Sequence, residues 1–130
     1  MIELFAYGTL RDAEYQAALF GRALPTRPAT LPEWLAVVAE GGYLTVVRTA
    51  GETVIGDLIT LDEAQLAIAD AWEEVPLYER LRVDVRDAHD AIVPAWLYVR
   101  PTASRERAPA GMLTRHPRAT VLAQIRSLHQ

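Results

Sequence analysis

The segment Asp70-Ala71-Trp72-Glu73-Glu74-Val75-Pro76-Leu77-Tyr78-Glu79-Arg80 gathers acidic residues where a helical pattern gives way to an extended one. A carboxylate at such a junction is held by rigid elements yet can face a cleft, and partial burial raises its pKa toward the working range of a general base. The same residues also read as an ordinary charged helix end. A second candidate is Tyr7-Gly8-Thr9-Leu10, a single-glycine turn between an apolar run and a helix, the general setting in which free backbone N–H groups hold an anion. It lacks the Gly-x-x-x-x-Gly-Lys-Ser/Thr and Gly-x-Gly-x-x-Gly patterns, so the common nucleotide loops are excluded. What remains suits one carboxylate or carbonyl oxygen.

Other chemistries are poorly supplied. The two serines, Ser104 and Ser127, sit in an Arg-rich stretch and near the end of the chain, outside any Gly-x-Ser-x-Gly turn. His89, His116 and His129 lack the spacing that aims two imidazoles at one metal and are read as surface histidines. Cysteine is absent, which removes disulfides, thiolate zinc sites and a Cys nucleophile together. No metal or other cofactor is expected. Net charge is −4 and every basic residue is an arginine, which argues against a nucleic-acid partner. Arg100, Arg105, Arg107, Arg115 and Arg118 concentrate in a stretch without apolar periodicity, read as a solvated loop or as an anion or RNA contact. No signal-peptide pattern and no apolar run of about 18 residues is present, so the expectation is a cytoplasmic protein with no membrane partner.

The elements that must position these residues follow from length and pattern. With 130 residues, 51% of them apolar and 23% charged, one globular domain over 1–130 is expected. Ile2 to Ala6 reads as a buried strand ending at Gly8, and Asp12 caps a helix from Ala13 to Phe20 that Gly21 stops. Trp34–Val38 and Tyr43–Val47 read as strands separated by Gly41-Gly42, and a further strand, Thr53–Thr60, contains Gly56 as a bulge or a close backbone approach. Asp62 to about Trp72 is a helix with a capping-box-like Asp62/Gln65 pair and an apolar face of Ala64, Leu66, Ile68, Ala69 and Trp72, ending before Pro76. Tyr78–Arg86 and Ile92–Val99 form a hairpin about His89-Asp90, and Val121, Leu122, Ile125 and Leu128 mark a terminal amphipathic helix packing on the outside of the fold.

Phe5-Ala6-Tyr7-Gly8-Thr9-Leu10-Arg11 resembles the strand-and-loop signature of γ-glutamylcyclotransferase-like (AIG2-like) proteins, and the second half agrees. Val54-Ile55-Gly56-Asp57-Leu58, Leu61-Asp62, Asp70-Ala71-Trp72-Glu73, Tyr78-Glu79-Arg80 and Ala95-Trp96-Leu97-Tyr98-Val99 follow in that family's order. The resemblance covers residues 2 to about 100, leaving 101–115 as an Arg-rich loop and 116–130 as a C-terminal helix. It implies an α+β fold, a small mixed β-barrel with flanking helices. It also implies a cavity in which Glu73 is the catalytic glutamate, Tyr7, Gly8, Thr9 and Leu10 form the substrate loop, and Tyr78 is a cavity aromatic.

The reaction implied is cofactor-independent. The α-amine of a γ-glutamyl amide or γ-glutamylamine attacks its own γ-carbonyl, giving 5-oxoproline and releasing the amine. Glu73 then serves as general acid and base, the loop amides hold the α-carboxylate or the oxyanion, and a side chain at position 8 would obstruct that approach. Glu74 follows Glu73 where relatives often carry a small residue such as Gly, so a second carboxylate stands beside the one the resemblance selects. The alternative is a noncatalytic small-metabolite-binding module on the same fold, although a binder of γ-glutamyl carboxylates gains nothing from a negative charge at position 73. The natural substrate and the oligomeric state are left open.

Overall fold

Ile2–Ala6 is strand β1, and its apolar run is explained by burial on both faces. Leu4 and Ala6 belong to a core shared with the helices, whereas Phe5 and Tyr7 join a second core of barrel residues such as Leu31, Val46, Leu58 and Leu97. The two-residue period of a strand divides them in this way.

The computed structural model describes residues 1–74 and 77–129. Among them, strands β2 (Thr26–Val38), β3 (Leu44–Leu61), β4 (Glu79–Asp87) and β5 (Ile92–Val99) join β1 in a closed barrel of order β1-β3-β2-β4-β5. The β1–β5 pair is parallel at Leu4 and Trp96 and the remaining pairs are antiparallel, so the barrel is mixed, as expected. Helices α1 (Ala13–Phe20), α2 (Glu63–Trp72) and α3 (Arg118–Leu128) flank it. Among the described residues no helix is long and apolar enough to cross a membrane.

The helix ends follow the sequence signals. Asp12 accepts from the amides of Glu14 and Tyr15, and Gly21 closes α1 at φ 84°. Asp62 and Gln65 form a reciprocal capping box on α2. On α2, Ala69 is buried and Leu66, Ile68 and Trp72 are partly buried, but Ala64 is exposed because it faces away from the barrel.

Two departures concern the strands. Trp34–Val38 is the end of the much longer β2, which begins in the Pro-rich stretch, and Tyr43–Val47 and Thr53–Thr60 merge into the single strand β3. The expected break at Gly51 is a local irregularity. Glu33 at φ 71° faces Gly51 at φ 81°, the register shifts between Pro32 and Trp34, and the Gly51 amide donates to the Glu33 carboxylate at 3.0 Å. Gly56 marks a close approach. A Cβ there would lie 2.3 Å from the Ala6 carbonyl oxygen and 2.7 Å from Phe5 Cζ.

Within 101–115, Glu106 to Ala108 pair with the end of β2. Val38 N donates to Glu106 O and Ala108 N to Ala36 O, both near 3 Å (2.9 and 3.0 Å). Helix α3 starts after Pro117, lies outside the barrel against α1 and α2, and buries Val121 and Ile125.

Candidate active site

At the end where β1 runs into its turn, the barrel, α2 and α3 enclose a cavity of about 1010 Å³, at the upper end of the range for sites that take drug-sized ligands. Tyr7, Gly8, Thr9, Leu10, Glu73 and Tyr78, gathered from sequence alone, all line it.

The turn is built by the end of β1. After Gly8 the chain enters one 3-10 turn, Thr9–Arg11, in which Arg11 N donates to Gly8 O at 3.0 Å and Asp12 N to Thr9 O at 3.1 Å. The amides of Thr9 and Leu10 precede the first such bond and have no acceptor among the described residues. Leu10 lines the cavity and its side chain also belongs to the helix-side core. A Cβ at Gly8 would meet Leu113 O at 3.4 Å, an ordinary contact. The fold itself leaves room for a side chain at position 8, so the expected obstruction concerns the approach of a ligand to the loop amides and not the protein's own packing.

Glu73 is the residue on which α2 ends, at φ −77° and ψ −1°, with its amide donating to Ala69 O. Trp72 fixes this end to the turn, its Nε1 donating to Thr9 Oγ1 at 3.1 Å. The Glu73 carboxyl and the free amides are thus joined through adjacent residues, Trp72–Glu73 and Thr9–Leu10. The Glu73 carboxyl has no hydrogen-bond partner among the described residues. Its pKa is pushed up to about 8, first by burial and second by the charge of Glu74. Tyr7, Tyr43, Tyr78 and Tyr98 all line the cavity and all feel the Glu73 charge; burial, the larger cause, and that charge raise their hydroxyl pKa values, Tyr43's to about 12.

Glu74 is exposed and adopts φ 54°, the left-handed conformation that follows many helix ends and favours glycine. This explains physically why a small residue suits that position. Val75 and Pro76, including the expected helix stop before Pro76, lie outside the described residues.

The phenols are anchored through their hydroxyls. Tyr7 donates to Tyr98 O at 2.5 Å, Tyr78 to Leu44 O at 2.9 Å, and Tyr98 to Asp70 Oδ1 at 2.6 Å. Asp70 is held in turn by Arg80 Nε at 2.9 Å.

Several cavity residues were not anticipated. His116 is partly buried in the cavity wall, with its ring 4.6 Å from that of Tyr43 and Nε2 against the Gly41 carbonyl, which corrects its reading as a surface histidine. Arg100, from the stretch read as a solvated loop, also lines the cavity. Arg107 and Arg118 pair instead with Glu52 and Asp12, and Arg115 with Glu106. From α3, Ala119, Thr120, Ala123, Gln124 and Leu128 complete the wall, and Tyr43 OH donates to Gln124. The period-2 pattern of β5 offered a signal for Tyr98, whereas Arg100 and His116 carry none that is local.

No match was found among curated proteins. The solution structure of an Arabidopsis thaliana protein is similar at 28% identity and a TM-score of 0.68, over 75% of this chain, which spans 61% of that protein's length. A structure named gamma-glutamyl cyclotransferase shares the fold at 16% identity and a TM-score of 0.68, over 78% of this chain and 67% of its own. A mouse AIG2-like protein does so at 22% identity and a TM-score of 0.66, over 91% of this chain and 97% of its own. The model of the family described as gamma-glutamyl cyclotransferase, AIG2-like matches residues 4–115, reaching past the resemblance to include the Arg-rich stretch. The chain belongs to this family, which includes γ-glutamyl cyclotransferases.

Proposed function

We propose that the protein cyclises a γ-glutamyl amide to 5-oxoproline and releases the amine, with Glu73 moving the proton. The observation that carries this reading is the unpartnered Glu73 carboxyl, titrating near 8 in a cavity that also holds the free amides of Thr9 and Leu10. An α-ammonium titrates at about 8, so proton transfer from it to Glu73 is nearly isoenergetic. An ordinary glutamate would have to accept that proton about 5 kcal/mol uphill.

The neutral amine attacks the γ-carbonyl, forming the ring C–N bond. The oxyanion collapses as Glu73 delivers its proton to the leaving nitrogen, the original C–N bond breaks, and the ring nitrogen passes its second proton to the released amine, which departs as the ammonium. Thr9 and Leu10 N–H groups serve the substrate's α-carboxylate on the Glu73 side of the cavity. Because the attack is intramolecular, holding the bent conformer supplies much of the acceleration.

The test is 5-oxoproline release from a panel of γ-glutamyl amines, γ-glutamyl dipeptides and glutathione. At least one substrate should turn over, Glu73→Gln should abolish the release, and Glu74→Gln should retain it. Loss in Glu74→Gln with retention in Glu73→Gln would transfer the role to the neighbouring carboxylate. Release from none of the panel would refute the reading.

A further inference from the structure

Three carboxylates, Asp70, Glu73 and Glu74, crowd the end of α2, where the helix dipole disfavours negative charge and the last turn holds no basic residue to offset it. Asp70 is the one that the barrel grips. Its Oδ1 accepts from Tyr98 OH at 2.6 Å and from Arg80 Nε at 2.9 Å, and these two donors are a cross-strand pair of β4 and β5. The Asp70 and Arg80 side chains are only 26% and 28% exposed, so water competes weakly for the contact. The Arg80 guanidinium also lies over Trp96, its central carbon 4.8 Å from the ring centre, which holds it from the other side.

These bonds close a circuit. Tyr98, whose hydroxyl holds Asp70, offers its main-chain carbonyl to Tyr7 OH at 2.5 Å. Two residues after Tyr7, Thr9 Oγ1 accepts from Trp72, which stands two residues after Asp70. The circuit passes through β5, the end of β1 and α2, and its two ties to α2 lie directly before Glu73. Packing does not duplicate them, since Ala69 is the one fully buried residue of the helix. The Glu73 carboxyl has no partner of its own among the described residues, so its direction is inherited from the helix end. Asp70 itself is not among the described residues that line the cavity.

We infer that Asp70 is a positioning residue: through Tyr98 and Arg80 it fixes the last turn of α2, and with it the aim of the Glu73 carboxyl, without touching the substrate. The inference deepens the cyclotransferase reading and rests on it. A carboxylate is placed at an unfavourable helix end because it reaches two donors on the barrel at once.

With a γ-glutamyl amide that wild type turns over, Asp70→Ala should lower kcat by about 10- to 100-fold, because the proton shuttle loses its aim. KM should stay within about threefold, since the turn at residues 9–11 is left in place. Asp70→Asn keeps an oxygen for both donors and should recover most of the rate. Asp62→Ala weakens the same helix at its far end and should leave kcat unchanged. If Asp70→Ala does not fold, Arg80→Met gives the milder form, a kcat loss of about 3- to 10-fold. Wild-type kcat in the variant read, a loss confined to KM, or an equal loss in Asp62→Ala would overturn the inference.

A second measurement needs no turnover. Urea denaturation from about pH 4 to pH 9, with and without Glu73→Gln, reads how firmly the carboxyl is kept from water. In the Asp70→Ala background the pH-dependent gain from Glu73→Gln should fall to about half or less of its wild-type size, and in Asp70→Asn it should persist. A reduced gain in a protein that turns over none of the panel would refute the cyclotransferase reading and keep the role of Asp70. An undiminished gain would refute that role whatever the turnover.

Discussion

Replacing Glu73 with Gln will stabilise the protein, and the gain will grow with pH. In the fold the carboxyl titrates near 8, against 4.5 for an ordinary glutamate. Below the lower value both folded and unfolded chains hold the proton, and the residue contributes no penalty. Between the two values the unfolded chain has released a proton that the fold retains, so wild-type stability falls as pH rises. Above the higher value the penalty is complete and constant. Its ceiling is about 5 kcal/mol, and because Glu73 opens partly to solvent we expect about 1–3 kcal/mol. Glutamine keeps the shape and removes the titration. Urea denaturation of both proteins from about pH 4 to pH 9 reads the difference directly. A difference that does not change with pH would show that Glu73 titrates like a surface carboxylate. The matched proton affinities on which the shuttle depends would then be lost.

Glu74→Gly should stabilise the fold by about 1 kcal/mol, because it relieves a left-handed backbone, and should move the rising limb of kcat/KM to lower pH by removing the charge that raises Glu73; an unmoved limb would contradict the coupling. Gly56→Ala should cost about 2–3 kcal/mol in thermal or chemical denaturation, since its Cβ would lie 2.3 Å from the Ala6 carbonyl oxygen. Asp62→Ala should cost about 1 kcal/mol through loss of the capping box, and full retention of the melting temperature would show that barrel contacts alone hold α2.

Where a feature depends on neighbours in the chain, the sequence was readable. The Asp12 cap, the Gly21 stop, the Asp62/Gln65 box and the Asp87–Asp90 turn all involve residues within a few positions of one another. The mixed barrel and the meeting of the 7–10 turn with Glu73 came from the order of motifs, which reflects the family and not any local rule. Strand β2 was obscured by Pro28 and Pro32, which normally argue against a strand. They are tolerated because β2 meets β4 only at Ala29 and Thr30, so much of that edge makes no ladder bonds. Gly51 suggested a strand end, but β3 only bulges there, its residues 49–52 standing opposite Glu33 alone on the facing strand before the pairing resumes at Arg48. Arg100 and His116 were hidden for another reason. They are brought to the cavity by contacts of Thr45 with Arg100, of 106–108 with β2 and of Thr114 to His116 with Gly41 to Tyr43, across 55 or more positions that leave no periodic trace.

Asp12 does two jobs with one carboxylate. Oδ1 accepts from the Glu14 and Tyr15 amides at the start of α1 and from Arg118 Nη1, while Oδ2 receives Arg118 Nη2 at 2.7 Å. Arg118 opens α3, and Asp12 directly follows the turn at residues 9–11, so the cavity's outer wall and the turn that lines its floor hang from the same two oxygen atoms. Lifting that wall would strip charge from the first amides of α1, and any swing of α3 is therefore geared to the turn at residues 9–11.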